Sequence, residues 1–92
     1  MTRRALGQFI AQKREAAGKS QREVAEELGY QTSQFVSNVE QGKAPLPIDK
    51  IKAWARSIKA DSREIFQMVD RVRSAEDREV FNASRAVSNE QS

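Results

Sequence analysis

The sequence predicts an all-α fold, a compact unit of five short helices followed by a helical extension, and three observations predict it. No stretch alternates apolar and polar residues with the two-residue period of a strand. Apolar residues recur instead at helical spacing, in short runs. Each run is bounded by a capping residue, a glycine or a proline, the usual start and stop signals of helices. At 92 residues the chain has room for one small core and not two.

The elements follow in order. Leu6, Phe9, Ile10 and Ala17 share one helical face, Thr2 is a candidate N-cap, and Ala17-Gly18 marks the end of the first helix. Lys13 falls in the middle of that face, where its aliphatic stem can cover apolar surface while the ammonium reaches water. Ser20-Gln21-Arg22-Glu23 is a capping box, in which the serine hydroxyl and the glutamate carboxylate each satisfy a free backbone amide of the first turn. The helix it opens should bury Val24, Ala25 and Leu28 and stop at Gly29. After a turn through Tyr30 and Gln31, Thr32 or Ser33 can cap a third helix, spanning about 32–41, with Phe35, Val36 and Val39 apolar and Gly42 as terminator.

Lys43 to Pro47 reads as a loop, since Pro45 disfavours helix at Ala44 and Pro47 suits the first position of the next helix. That fourth helix carries Ile48, Ile51, Ala55 and Ile58 in phase, with Trp54 at the edge of the stripe. Asp61-Ser62-Arg63-Glu64 opens a fifth, with Ile65, Met68, Val69 and Val72 on one face. Beyond Arg73 the apolar signal weakens to Val80, Ala83 and Val87, and Ser88 to Ser92 reads as a frayed polar end.

Composition narrows the function. The chain has no cysteine and no histidine, which excludes disulfides, thiolate or imidazole metal sites, and catalytic triads or dyads built on either side chain. Asp and Glu are scattered over helix faces without a converging pair, so neither an enzyme nor a cofactor or metal site is expected. No apolar run approaches the ~20 residues of a membrane span, and the charged N-terminus lacks the pattern of an export signal. A cytoplasmic location, bacterial or phage-encoded in its host, is the expectation. The net charge of +3 is unevenly divided: residues 1–60 carry eleven Lys and Arg against six Asp and Glu, whereas residues 61–92 carry five against seven. The basic part is the candidate for an anionic partner.

The succession Ser20-Gln21-Arg22-Glu23-Val24-Ala25, Leu28-Gly29, then Ser37-Asn38-Val39-Glu40-Gln41-Gly42 resembles the helix-turn-helix of the lambda-repressor-like family, also called the Cro or XRE family. The resemblance covers roughly residues 5–66, with the motif at about 20–42. It implies that the second motif helix lies in the DNA major groove while the first rests its N-terminus against phosphate. Ser20 and Gln21 match phosphate-contacting positions, and the electropositive helix start there suits a phosphate oxygen. Arg22 can add a charge contact, Thr32 is the expected cap and a further phosphate contact, and Lys43 lies in a loop that runs near the DNA backbone in such folds. Arg3, Arg4 and Lys13 or Lys50 can extend the same positive surface.

Residues 29–39 contain no formal charge. Within them Gln34 and Asn38 are amides that can pair bidentately with adenine, and Ser33 and Ser37 are short hydroxyls, so these four are the candidate base readers; the bland alternative is a solvated helix face. Gln31 is an additional candidate, and Phe35 either touches a thymine methyl or packs under the turn. The resemblance pairs Arg14 with Glu40 as an internal salt bridge. Two departures stand out: the turn is one residue longer than the common family spacing, and Lys19 replaces a residue more often apolar.

Two functional readings follow. One is a sequence-specific DNA-binding regulator, a repressor acting as a homodimer on a palindromic operator, with residues 1–66 as the binding unit and 67–92 as a dimerising extension. The other is an antitoxin-type protein whose acidic C-terminal segment captures a partner protein, DNA binding serving autoregulation.

Overall fold

The computed structural model describes the backbone of residues 1–91 and the side chains of residues 1–80. The described residues form five α-helices and no strand: α1 (Arg3–Ala16), α2 (Gln21–Leu28), α3 (Gln34–Glu40), α4 (Ile51–Ile58) and α5 (Ser62–Gln91), with a single 3-10 turn at Ile48–Lys50 before α4. Among these residues no helix is long and apolar enough to cross a membrane.

The caps act largely as the sequence implies. Thr2 Oγ1 accepts from the Ala5 amide at 3.0 Å. The Ser20–Glu23 box closes in both directions, with Ser20 Oγ accepting from the Glu23 amide and Glu23 Oε1 from the Ser20 amide. Gly29 then takes a left-handed conformation, φ 85°, and the Tyr30 amide reaches back to the Ala25 carbonyl, turning the chain sharply out of α2.

Three boundaries differ from expectation. The third helix begins at Gln34 with Ser33 at its N-cap, and Thr32 sits one residue outside, its hydroxyl accepting from the Gln34 amide at 3.3 Å. Pro47 does not start the fourth helix directly: a 3-10 turn intervenes, which rotates Ile48 out of phase and leaves it 47% exposed. The fifth helix does not fade after Arg73 but continues as one element of 30 residues, so residue 66 lies inside it. The side chains of Phe81, Ala83 and Val87, and the tail at Ser92, lie outside the described residues.

The core is built where the short helices cross, since none of them would be stable alone. Leu6 and Ile10 of α1, Val24, Ala25 and Leu28 of α2, Val36 and Val39 of α3, Ile51, Trp54, Ala55 and Ile58 of α4, and Ile65, Val69 and Val72 of α5 are all buried. Each large aliphatic side chain so buried contributes on the order of 1.5–3 kcal/mol. Leu46, in the loop before α4, is buried with them. Trp54, at the edge of the apolar stripe in phase, is fully buried in the core. Its ring lies 6.2 Å from both Tyr30 and Phe35, whose own centroids are 5.1 Å apart. This three-ring cluster pins the turn between α2 and α3 onto α4, and it settles Phe35 as a packing residue under the turn.

A candidate nucleic-acid interface

The position of α3 is set at its C-terminal end. Gly7 of α1 is buried against it so closely that a β-carbon there would collide with the Glu40 carbonyl oxygen. Beside this contact Arg14 Nε donates to Glu40 Oε2 at 2.7 Å and a terminal nitrogen donates to Glu40 Oε1 at 3.1 Å, a two-pronged contact. The third arm of the guanidinium donates to the Lys19 carbonyl at 2.8 Å, which fixes the loop leading into α2. Only 12% of the Arg14 side chain and 6% of the Glu40 side chain remain exposed. The hydrogen bond to Glu40 raises the Arg14 pKa above its ordinary value against the opposing effect of burial. The internal pair that the resemblance implies is therefore present.

Gln21, in the first turn of α2, joins the same carboxylate: its Nε2 donates to Glu40 Oε1 at 2.9 Å. One side-chain N–H of Gln21 is thus committed inward, which holds the amide in place and leaves the other N–H to donate elsewhere. Ser20 presents its hydroxyl at the cap of the same helix. Arg22 is almost wholly exposed, with only a long 3.4 Å contact to Glu26. A cleft of about 300 Å³ between α2 and the following turn is lined by Arg22 together with Gln31, Thr32 and Ser33.

On α3 the side chains expected to read bases lie on one polar strip. Gln34 is exposed, and its Nε2 donates to Asn38 Oδ1 one turn later at 3.0 Å. The pair leaves both donors of Asn38 and the carbonyl of Gln34 without another hydrogen bond among the described residues, a combination that can meet adenine's acceptor and donor. Ser33 makes no capping hydrogen bond with its side chain, and Ser37 Oγ accepts from Gln41 Nε2 at 2.9 Å. Gln41, exposed, extends the strip beyond the expected residues. Its spacing of three and seven from Asn38 and Gln34 is the signal that would have found it.

Past α3 the chain turns at Gly42, φ 76°, whose backbone abuts that of Arg4 at the start of α1. Lys43 and Arg4, both exposed, therefore make one basic corner. Arg3 does not join it. Its guanidinium turns to Glu76 of α5, with Nε 2.6 Å from the carboxylate. Lys13 and Lys50 lie over the rings of Phe9 and Tyr30, at 5.6 and 5.7 Å. Lys19, which departs from the family's more usual apolar residue, pairs with Glu27 at 2.7 Å, and Glu27 also accepts from the buried Ser57 hydroxyl of α4 at 2.7 Å. Among the described residues no group of carboxylates can hold a metal ion.

Two short helices crossing through a glycine turn, a capped first helix and an uncharged polar strip on the second agree with the profile of a family described as "Helix-turn-helix domain", which matches residues 5–65. The chain belongs to this family. Among solved structures, the helix-turn-helix protein is similar to the restriction-modification controller protein C.AhdI from Aeromonas hydrophila. The identity is 27% and the TM-score 0.62, covering 68% of this chain and 90% of that one. The fold is also that of the clp gene regulator ClgR from C. glutamicum, at 20% identity and TM-score 0.63, covering 76% of this chain and 90% of that one. No curated protein matches at a significant level. The chain is a DNA-binding protein of the helix-turn-helix class.

Proposed function

We propose that the protein is a sequence-specific repressor that binds a palindromic operator as a homodimer, with α3 in the major groove. The observation that carries this reading is the pair of the exposed Gln34 amide and the half-buried Asn38 amide, on a stretch of α3 without charge before Glu40, whose far end is locked by Arg14 and Glu40. Rigid support under a short polar strip is what base discrimination requires, because a misplaced amide loses its second hydrogen bond. Ser33, Gln34, Ser37 and Asn38 read bases in this arrangement. Ser20, Gln21, Arg22, Thr32 and Lys43 contact phosphates and set the register.

Residues 1–66 form the DNA-binding unit and residues 67–92 bring two copies together. Two-fold pairing doubles the contacts and matches half-sites ~34 Å apart along one turn of DNA. Repression follows by occupancy where the operator overlaps a promoter. The likeness to a restriction-modification controller protein supports a regulatory role for a chain of this size.

Selection of binding sites from random duplexes by the purified protein tests the proposal. The expected result is an enriched palindrome bound with strongly salt-dependent affinity. Recovery of no enriched sequence, with binding absent or indifferent to salt, defeats it.

A further inference from the structure

A serine hydroxyl carries little base information by itself. It has one hydrogen and two lone pairs and turns to suit its partner, so it serves a donor or an acceptor on a base edge alike. Ser37, half-buried on the polar strip of α3, is not left free in this way. Gln41, one turn on and exposed, donates from Nε2 to Ser37 Oγ at 2.9 Å. The Gln41 backbone is tied to the same residue, its amide donating to the Ser37 carbonyl at 3.0 Å. One residue later the backbone of Gly42 abuts that of Arg4, so the point from which the Gln41 side chain springs is held on both sides.

The consequence is one of polarity. Accepting from Gln41 uses one lone pair of Ser37 Oγ and leaves its hydrogen, which has no acceptor among the described residues. To accept a second bond from a base, Ser37 would have to strand that hydrogen where DNA displaces water, and an unpaired donor there is costly. Donating to the base satisfies both. Asn38 beside it is set the same way: its Oδ1 accepts from Gln34 at 3.0 Å, which leaves its two N–H donors. The middle of the strip therefore presents donors.

We propose that Gln41 is a specificity-determining positioning residue: by donating to Ser37 it turns an ambivalent hydroxyl into a hydrogen donor toward the base edge. This rests on the assignment of Ser37 to base reading made above. Guanine and cytosine separate the two polarities most cleanly. In the major groove guanine offers only the acceptors O6 and N7, whereas cytosine offers only the N4 donor. Ser37 held by Gln41 favours guanine over cytosine at the base it faces, by about three- to tenfold for one hydrogen bond kept or lost. Gln41 needs no contact with DNA for this; it acts through Ser37.

The test is the ratio of affinities for guanine and cytosine at each position of the operator selected by the full chain. It is measured for the wild type, Ser37→Ala, Gln41→Ala, the double variant and Gln41→Glu, with circular dichroism confirming that each stays folded. Ser37→Ala should abolish a preference for guanine at one symmetric pair of positions, which locates the base. At that pair Gln41→Ala should bring the ratio to within about twofold of unity, because the hydroxyl then rotates freely, and the double variant should change it no further. Gln41→Glu should reverse the ratio: a carboxylate can only take the Ser37 hydrogen, which leaves lone pairs for cytosine N4. Its added negative charge weakens every sequence alike and cancels from the ratio. A ratio that survives both Gln41 changes would overturn the role of Gln41 while leaving Ser37 a reader, as would a wild-type preference for cytosine at that pair. Weakening of all sequences alike by Gln41→Ala, with the ratio intact, would also overturn it and make Gln41 a backbone contact. Wild-type base preference in Ser37→Ala at every position, or no enriched operator at all, would remove the reading by Ser37 and the role of Gln41 together.

Discussion

Arg14 and Glu40, twenty-six residues apart in sequence, meet in a two-pronged contact of 2.7 and 3.1 Å that joins α1 to the last turn of α3. The same carboxylate accepts from Gln21 of α2, and the same guanidinium donates to the Lys19 carbonyl. Three helix segments are thus referred to one ion pair. The start of α2 and the last turn of α3 cannot shift independently while it is intact.

Removing Arg14 leaves Glu40 buried with Gln21 as its remaining side-chain partner. Arg14→Met is expected to cost about 3 kcal/mol, the low end of the range for breaking a buried pair because that one hydrogen bond survives. Glu40→Gln keeps a group able to bond Gln21 and should cost less. Joining Arg14→Met to Glu40→Leu should cost less than the sum of the two single changes, since no orphaned charge is left. Urea unfolding at neutral pH measures the wild type, the three single variants and the double. Additive losses would show that the pair is not coupled.

Gly7→Ala tests the approach of α1 to α3. Helix propensity alone would favour alanine by about 1 kcal/mol. The added methyl, however, meets the backbone carbonyl of Glu40, which cannot yield without moving α3. Overpacking of this kind costs roughly 1–3 kcal/mol, so the net sign should be destabilising. DNA affinity should fall with it, because the displaced element is α3, the helix proposed to read bases. Gly18→Ala is the control: Gly18 has φ 73° and open space around it, so strain costs about 1 kcal/mol and DNA binding is unchanged. Thermal melts and DNA titrations on both variants separate packing from strain.

These residues show what can be read from a sequence and what cannot. The capping box, Gly29 and the apolar phases of α1, α2 and α4 are local signals, so the helices and most of the core were legible. Gly7 was not, because a glycine in mid-helix looks like a weak spot until the partner backbone is known. Leu46 was hidden in a proline-flanked loop, and Ile48 was misplaced because the 3-10 turn after Pro47 shifts the register. The length of α5 was missed because Glu76 occupies an inward position there: it pairs with Arg3, seventy-three residues away, and breaks the apolar phase. At the candidate site the side chains were legible by type and spacing, but the hydrogen bonds of Gln21 to Glu40 and of Gln34 to Asn38 were not.

Acid should loosen the bridge between α2 and α4. Hydrogen bonds from Lys19 and then Ser57 hold the Glu27 carboxyl below its ordinary pKa in the folded chain. A lowered folded-state pKa means stability that is present above the unfolded value and lost as pH falls through the folded one. The loss should begin near pH 4.3, where an unperturbed glutamate titrates, and continue downward. Glu27→Gln should therefore be less stable than wild type at pH 7 and approach it at low pH. Melting curves across the acid range check this, and a gap that does not narrow on acidification would exclude Glu27 as its source.

The division between positioning and reading can be tested with three single substitutions and one operator series. Gln34→Ala removes an exposed amide and frees Asn38, so it should relax preference at one symmetric pair of base positions by about 1–3 kcal/mol. Gln21→Ala should weaken binding to every sequence by a similar factor and leave the salt dependence as it was, because the amide carries no charge. Lys43→Ala should also weaken all sequences alike, but it removes a cation from each copy, so the slope of log affinity against log salt should fall by about one per monomer. Titrations of a matched operator and its single-base variants at several salt concentrations give all three signatures at once. If Gln21→Ala changed base preference as Gln34→Ala does, the phosphate end of α2 would have to be reassigned to reading.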